Sequence, residues 1–386
     1  MKKRKYILRF LLLFSGFLVS LFIAELVIRI GKFAPAVFMF ESSSLKMSND
    51  KELLYEMIPY KSTSYGDTLN SFGFRSDSIS IKKGTSITRL MIVGDSIAYG
   101  VNIKRNMVFP FLLQTMLNKY SKDKNTKYEV VNISVPGYNL NQELRLIEKW
   151  KELKPDIVLI AYCLNDLQDY SYEYGELKSQ LSNNELSLYE DWKKGKNKIL
   201  LESNLYRFLK YRIFYIQKKE LQRNIDKEWI SIKNYTWADY YRNLYIDGGE
   251  VFLNDKIYVF KKLSEKYNFK PFILVFPVLL NLDNYPLLDV HDKIRKAGLR
   301  FGIYGLDLLN TYRSYTSLSK KAIHIRMDNG TIDPLHPNEI GHKLAAIAVL
   351  IQLCKSKLIN ESFDIDEIWK CEFNEYSSKK EMKDEE

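Results

Sequence analysis

The chain has 386 residues, 46% of them hydrophobic and 27% charged, so it can bury at least one full core, and length alone allows two or three domains. Its net charge is +11, but Lys2, Lys3, Arg4, Lys5 and Arg9 all precede residue 10, which leaves the rest only mildly basic and argues against a nucleic-acid partner. Cys163, Cys354 and Cys371 are too few and too widely spaced for a disulfide framework or a zinc site.

In chain order, the basic stub leads into an almost unbroken apolar run, Phe10 to Ala24, that continues through Glu25 to Ile30. At ~1.5 Å per residue this reaches across a bilayer, and the Lys/Arg flank stays cytoplasmic. A cleaved signal would end in small residues; Glu25, Ile28, Arg29 and Ile30 follow instead, so residues 1–31 read as an uncleaved anchor and the body as exported. Residues 32–86, including "NSFGFR", are punctuated by Ser, Asp, Gly and Asn and read as an extracytoplasmic lead-in that packs on the main domain.

From residue 87, β-rich runs alternate with helical patterns. Strands are predicted at "RLMIV" (89–93), "YEVVNI" (128–133), "DIVLIAY" (156–162) and "PFILVF" (271–276), with a weaker fifth near "GIYGLDL" (302–308). Helical spacing marks 109–120, 141–153 and a closing helix over 339–357 with Asn338 as its N-cap. This alternation predicts a three-layer α/β/α fold around a mostly parallel five-stranded sheet. About 100 residues separate the third and fourth strands, so 168–253 is read as a mostly helical insertion. The main domain then covers 87–357, followed by a charged tail, 358–386.

Sites in such sheets form beyond the carboxyl ends of the strands. Ser96 follows the first strand, Gly137 the second, Asn165 and Asp166 the third. A serine hydroxyl needs a general base. His336, in "DPLHPN", has Asp333 three residues upstream to orient it; His342 reads as a packing or capping residue, and His291 and His324 show no comparable partner. None of these elements is decisive alone: a lone GDS can be a strand end, Gly137 a turn glycine, Asn165 a loop cap. Their joint occurrence at strand ends favours catalysis.

Together they resemble the blocks of the SGNH hydrolases, the GDSL-type esterases and lipases: G-D-S at Gly94, Asp95 and Ser96, N-x-x-x-x-G at Asn132 to Gly137, N-D at Asn165 and Asp166, and D-x-x-H at Asp333 and His336. Where the third block carries glycine this chain has Cys163, which narrows the local space. The resemblance implies a flavodoxin-like sheet, Ser96, Asp333 and His336 as catalytic triad, an oxyanion hole from the amides of Ser96 and Gly137 and the Asn165 side chain, and Asp95 and Asp166 as loop braces. It implies an esterase acting on acetyl or acyl esters of an envelope glycan or lipid, at the bacterial cytoplasmic membrane with the catalytic domain outside. O-acyl transfer to a sugar hydroxyl would use the same triad. A non-catalytic glycan-binding protein on the same fold is the contrasting reading, with 27 Tyr and 21 Phe available to stack on sugars. No metal is expected, since the histidines lack ligand spacing such as H-E-x-x-H, and no phosphate-binding glycine loop points to a cofactor.

Overall fold

A computed structural model of the protein describes residues 2–34, 44–168 and 237–372, apart from 64–65, 124, 247, 320, 327–331, 360–362 and 369, together with 200, 202–210, 212–213 and 216. The chain divides into two units, one of residues 1–47 and 171–234, the other of residues 48–170 and 235–386.

In the first unit α1 (Lys2–Ile30) takes up the basic stub and the apolar run as one continuous helix. Its residues Arg4–Ile30 are long and apolar enough to cross a membrane, and few of them are buried. Residues 204–210, 212–213 and 216 are also helical.

The second unit is built on five strands: β1 (Ile87–Gly94), β2 (Lys127–Asn132), β3 (Ile157–Cys163), β4 (Lys270–Phe276) and β5 (Tyr304–Asp307). They lie in the order β2-β1-β3-β4-β5, every neighbouring pair parallel. The helices between them are α2 (Ser96–Tyr99), α3 (Phe109–Tyr120), α4 (Leu140–Lys149), α5 (Trp237–Asn243), α6 (Gly249–Tyr267), α7 (Leu288–Arg300) and α8 (Leu309–Ser319). A two-stranded antiparallel hairpin, β6 (His324–Arg326) and β7 (Ile332–Pro337), then leads into α9 (Glu339–Lys355).

Strands covered on both faces read as continuous apolar runs, and β3, "IVLIAYC", is buried at every position. Alternate residues serve the two faces. Leu90, Ile92, Leu159, Ala161, Phe272 and Leu274 join one core with α3 and α9, while α4, α6 and α7 pack with one another. The five-stranded, doubly wound fold expected from the sequence is present.

Two boundaries differ from those expected from the sequence. The crossover helix α6 starts at Gly249, because the Gly248–Gly249 pair breaks the preceding segment, so the insertion cannot extend to residue 253. Most of 168–236 lies outside the described residues. The tail placed at 358 begins too early, since Leu358, Ile359, Phe363 and Ile368 are buried in the main core and Glu372 takes ion pairs from Lys119 and Lys343. Asp333 and His336 stand on β7, whose two prolines are tolerated on an edge hairpin.

Candidate active site

The site begins with the turn after β1. A Cβ on Gly94 would come within 2.8 Å of the Ala98 side chain and 3.1 Å of that of Ala161, so only glycine lets α2 fold back so closely on the sheet. Asp95 caps that helix, its Oδ1 accepting from the Ile97 amide at 2.8 Å. Ser96 thereby becomes the first helical residue, partly exposed among buried neighbours. Two further ties fix α2. The Asn132 side chain donates to the Ala98 carbonyl at 2.8 Å, and the buried Arg75 donates to the carbonyls of Tyr99, Gly100 and Ile103 at 2.9, 2.5 and 2.7 Å. Arg75 is itself held by both oxygens of Asp67, each at 2.9 Å.

His336 reaches Ser96 from 240 residues away: Nε2 lies 2.9 Å from the Ser96 Oγ. Its Nδ1 lies 2.7 Å from Asp333 Oδ2, while Asp333 Oδ1 accepts from the backbone amides of Leu335 and His336 at 2.9 and 3.0 Å. Asp333 thus holds both the imidazole and the strand that carries it. An ionised carboxylate accepts only, which assigns the imidazole proton to Nδ1 and leaves Nε2 to receive the serine hydroxyl's.

Burial works against charge on His336, but the hydrogen bond and charge of Asp333, with the charge of Asp95 beyond, outweigh it and raise its pKa above the ordinary 6.5. Burial would push Asp333 up; its bonds to His336 and to the two backbone amides bring it below the ordinary carboxylate value instead.

The second and third strand ends close the site. Gly137 takes a φ of +77° in the turn after β2, a conformation that favours glycine. That turn is held from outside the sheet: Tyr55 donates to the Pro136 carbonyl at 3.0 Å and Tyr138 donates back to the Tyr55 carbonyl. It is joined to the third block by the Leu140 amide on the Asp166 carbonyl at 3.0 Å. Asp166 Oδ2 accepts from the Cys163 amide at 2.8 Å, and the Asn165 side chain lies beside Asp95, where it favours that carboxylate's charged form. The backbone amides of Ser96 and Gly137 have no acceptor among the described residues. Tyr245, just past α5, donates to the Leu164 carbonyl at 3.1 Å and meets the Tyr162 hydroxyl at 2.7 Å, so the chain returning from the insertion braces the same loop.

Cys163 does not narrow the partly exposed surface formed by Ser96, Gly137, Asn165 and His336. It is buried in the main core, its thiol donating to Asp95 Oδ1 at 3.3 Å. Burial, with the neighbouring charges of Asp95 and Asp166, pushes its pKa well up, which keeps it a thiol. Among the described residues, Asp95, Cys163 and Asp166 also have ligand atoms within 4.8 Å of one another, close enough to share a cation, yet each already has a hydrogen-bond partner there.

Two groups at the site escaped the sequence reading. Arg75 sits inside the "NSFGFR" stretch that served only to mark a lead-in. Glu143, on α4, is fully buried, and neither of its oxygens has a hydrogen-bond partner among the described residues. Burial first, then the charge of Asp95, raise its pKa well above the ordinary carboxylate value; Asp166 is raised by burial and by Glu143. The signal was available, since Glu143 falls within the apolar stripe Leu140, Leu144 and Ile147 of α4.

The remaining histidines separate clearly. His342 is buried against Phe109, its Nδ1 accepting that residue's amide at 3.3 Å, and burial lowers its pKa to about 3. His291, read as lacking a partner, has one: its Nδ1 lies 2.7 Å from Asp307 and its Nε2 accepts from the Tyr285 hydroxyl at 3.1 Å. The pair joins residues 16 apart on α7 and β5, a spacing that only the folded sheet brings together. Its outer nitrogen faces a phenol, with no serine hydrogen-bonded to the dyad among the described residues, which makes it a packing dyad.

The sequence profile of the GDSL-like lipase/acylhydrolase family matches residues 90–349, about two thirds of the chain. The chain belongs to that family. It is an ester-cleaving serine hydrolase on the family's fold, which sets aside the non-catalytic glycan-binding reading. Among solved structures, TesA is 14% identical with a TM-score of 0.38, covering 70% of this chain and 99% of its own. The acetyl xylan esterase AlAXEase is 17% identical with a TM-score of 0.38, covering 70% and 100%. The psychrotrophic esterase EstA from Pseudoalteromonas sp. is 13% identical with a TM-score of 0.36, covering 70% and 98%. A search of curated protein sequences finds no match.

Proposed function

We propose that this GDSL hydrolase removes acetyl or acyl groups from a glycan or lipid of the cell envelope, working outside the cytoplasmic membrane on an uncleaved α1 anchor. The observation that carries the chemistry is the unbroken chain of hydrogen bonds from Ser96 through His336 to Asp333. In this reading His336 Nε2 takes the Ser96 proton as Oγ attacks the ester carbonyl. The charge that develops on the carbonyl oxygen is met by the amides of Ser96 and Gly137 and by the Asn165 side chain. Collapse breaks the ester C–O bond, and the leaving alcohol takes its proton from His336. Water then repeats the sequence on the acyl-serine, releasing the acid and restoring Ser96. Each donor to such an oxyanion contributes ~3–4 kcal/mol to the transition state. That the Ser96 and Gly137 amides have no competing acceptor among the described residues supports this assignment.

The envelope as location rests on α1, which is long and apolar enough to cross a membrane and carries its positive flank on the amino side. The test is acetate release from an acetylated glycan by the full chain, with and without a free sugar acceptor. Wild type releases acetate and takes a fluorophosphonate label on serine; Ser96→Ala does neither. Appearance of an acylated sugar in place of acetate would convert the reading to acyl transfer. Turnover by Ser96→Ala equal to that of wild type would overturn the assignment of the nucleophile.

A further inference from the structure

Glu25 is the acidic residue of α1 and lies within its apolar stretch, between Arg9 and Arg29. Arg9 and Arg29 stand 20 positions apart on α1, about 30 Å at ~1.5 Å per residue and the thickness of a bilayer's hydrocarbon. Glu25 therefore lies about 6 Å inward of Arg29, with which it pairs at 3.0 Å. At that depth a carboxylate needs protein donors, and it has them. Oε1 accepts from the Asn204 backbone amide at 2.9 Å and its side-chain amide at 3.0 Å, while Oε2 accepts from the Leu205 amide at 2.7 Å and the Ser203 hydroxyl at 2.9 Å. These are the first amides of the helical stretch that starts at residue 204, so a glutamate of α1 caps a helix about 180 residues away in sequence.

That stretch has two unlike sides. Taking 100° per residue, Leu205, Leu209, Arg212, Ile213 and Ile216 fall within one arc of about 100°, and Arg207 falls nearly opposite. Arg207 is buried, whereas Leu209, Ile213 and Ile216 are 51%, 54% and 62% exposed. The apolar side is thus the exposed one, and the guanidinium of Arg212 at its edge lies over the Phe208 ring.

We propose that residues 204–210, 212–213 and 216 belong to a membrane-surface helix, seated by the Glu25 carboxylate at the outer edge of the α1 span, with Leu209, Ile213 and Ile216 against phospholipid acyl chains and Arg212 at the headgroup phosphates. Interfacial helices bury their apolar face some 5–10 Å into the headgroup boundary, the depth at which Glu25 holds this one. The proposal rests on the anchor reading of α1, and it makes the insertion a second, peripheral attachment to the same bilayer.

The test uses the full chain reconstituted in vesicles of equimolar phosphatidylcholine and phosphatidylglycerol. Ile213→Cys, in a Cys354→Ser and Cys371→Ser background, carries an environment-sensitive fluorophore. Resistance of the protein to carbonate extraction reports the anchor separately, and turnover of a soluble ester reports the catalytic unit. The expected result is blue-shifted emission quenched by lipids bearing a nitroxide high on the acyl chain. Glu25→Ala should lose both the shift and the quenching while keeping carbonate resistance and ester turnover. Leu209→Asp with Ile216→Asp should lose them with Glu25 intact. Water-like emission from anchored wild type overturns the proposal, as does quenching unchanged by Glu25→Ala. A blue shift that nitroxide lipids leave unquenched, and that grows with the number of chains per vesicle, would place a second copy on this face and also overturn it.

Discussion

In the proposed mechanism His336 must be neutral to accept the Ser96 proton, and the charges of Asp333 and Asp95 raise the pH at which it becomes so. The acid limb of kcat/KM should therefore have its midpoint above pH 6.5. In Asp333→Asn the limb should move down and kcat should fall by ~10^4-fold, the size of effect that follows loss of a triad carboxylate; a pH–rate profile of both proteins checks this. The same shift acts on stability in the opposite sense. A raised folded-state pKa contributes stability below pH 6.5 that fades as pH rises through the raised value, so the protonated pair that favours the fold is the one that stops catalysis. Glu143 follows the same sign. Its folded-state pKa is raised, so the fold loses stability as pH climbs from the ordinary carboxylate value of 4.5 toward the raised one. Glu143→Gln, which keeps shape and removes the titration, should unfold at a higher temperature than wild type at pH 8 and at the same temperature at pH 4, by thermal scans at the two pH values. Ser96, Asp333 and His336 were legible as a set because serine chemistry demands a base and an orienting acid, and "DPLHPN" supplied both three residues apart. Glu143 and the His291–Asp307 pair were not, because each owes its meaning to burial and to partners on other elements.

At the scale of elements, the four-residue α2 is too short to hold itself. Its carbonyl end is fixed by Arg75 and Asn132, and its amino end by Asp95. Arg75→Ala would leave Asp67 without its buried partner and free the Tyr99 and Gly100 carbonyls. We expect it to cost ~3–5 kcal/mol in denaturant unfolding, the usual loss when one member of a buried pair is removed, and to lower kcat through the displaced Ser96. The long elements were plain in sequence. "FPFLLQTMLNKY" becomes α3 without a residue's difference, and the predicted strands agree with β1 to β4 to within two residues, because buried parallel strands are apolar throughout and bounded by polar turns. The β6–β7 hairpin was hidden: three residues of β6 are too few to show a period, and Pro334 and Pro337 read as breakers.

At the scale of the whole molecule, the second unit closes on itself only after α9. Leu358, Ile359, Phe363 and Ile368 fill the core beside α3 and α9, and each such side chain contributes ~1.5–3 kcal/mol by its burial. A chain ending at Lys357 should therefore unfold at markedly lower denaturant than the full protein, and urea titration of the two checks it. This was the part of the domain that composition concealed, since its apolar residues are spaced among acids. The doubly wound sheet was visible from the alternation of patterns alone. The same topology imposes a timetable. Ser96 is made early and its base 240 residues later. At ~5–20 residues per second, ribosomes need roughly 12–48 s to cover that interval, and the sheet around Ser96 can be assembling while the histidine is still unwritten. With Ser96 as the proposed nucleophile, a growing chain carries a serine with no base to activate it, and no ester within its reach should be cleaved until translation has passed "DPLHPN".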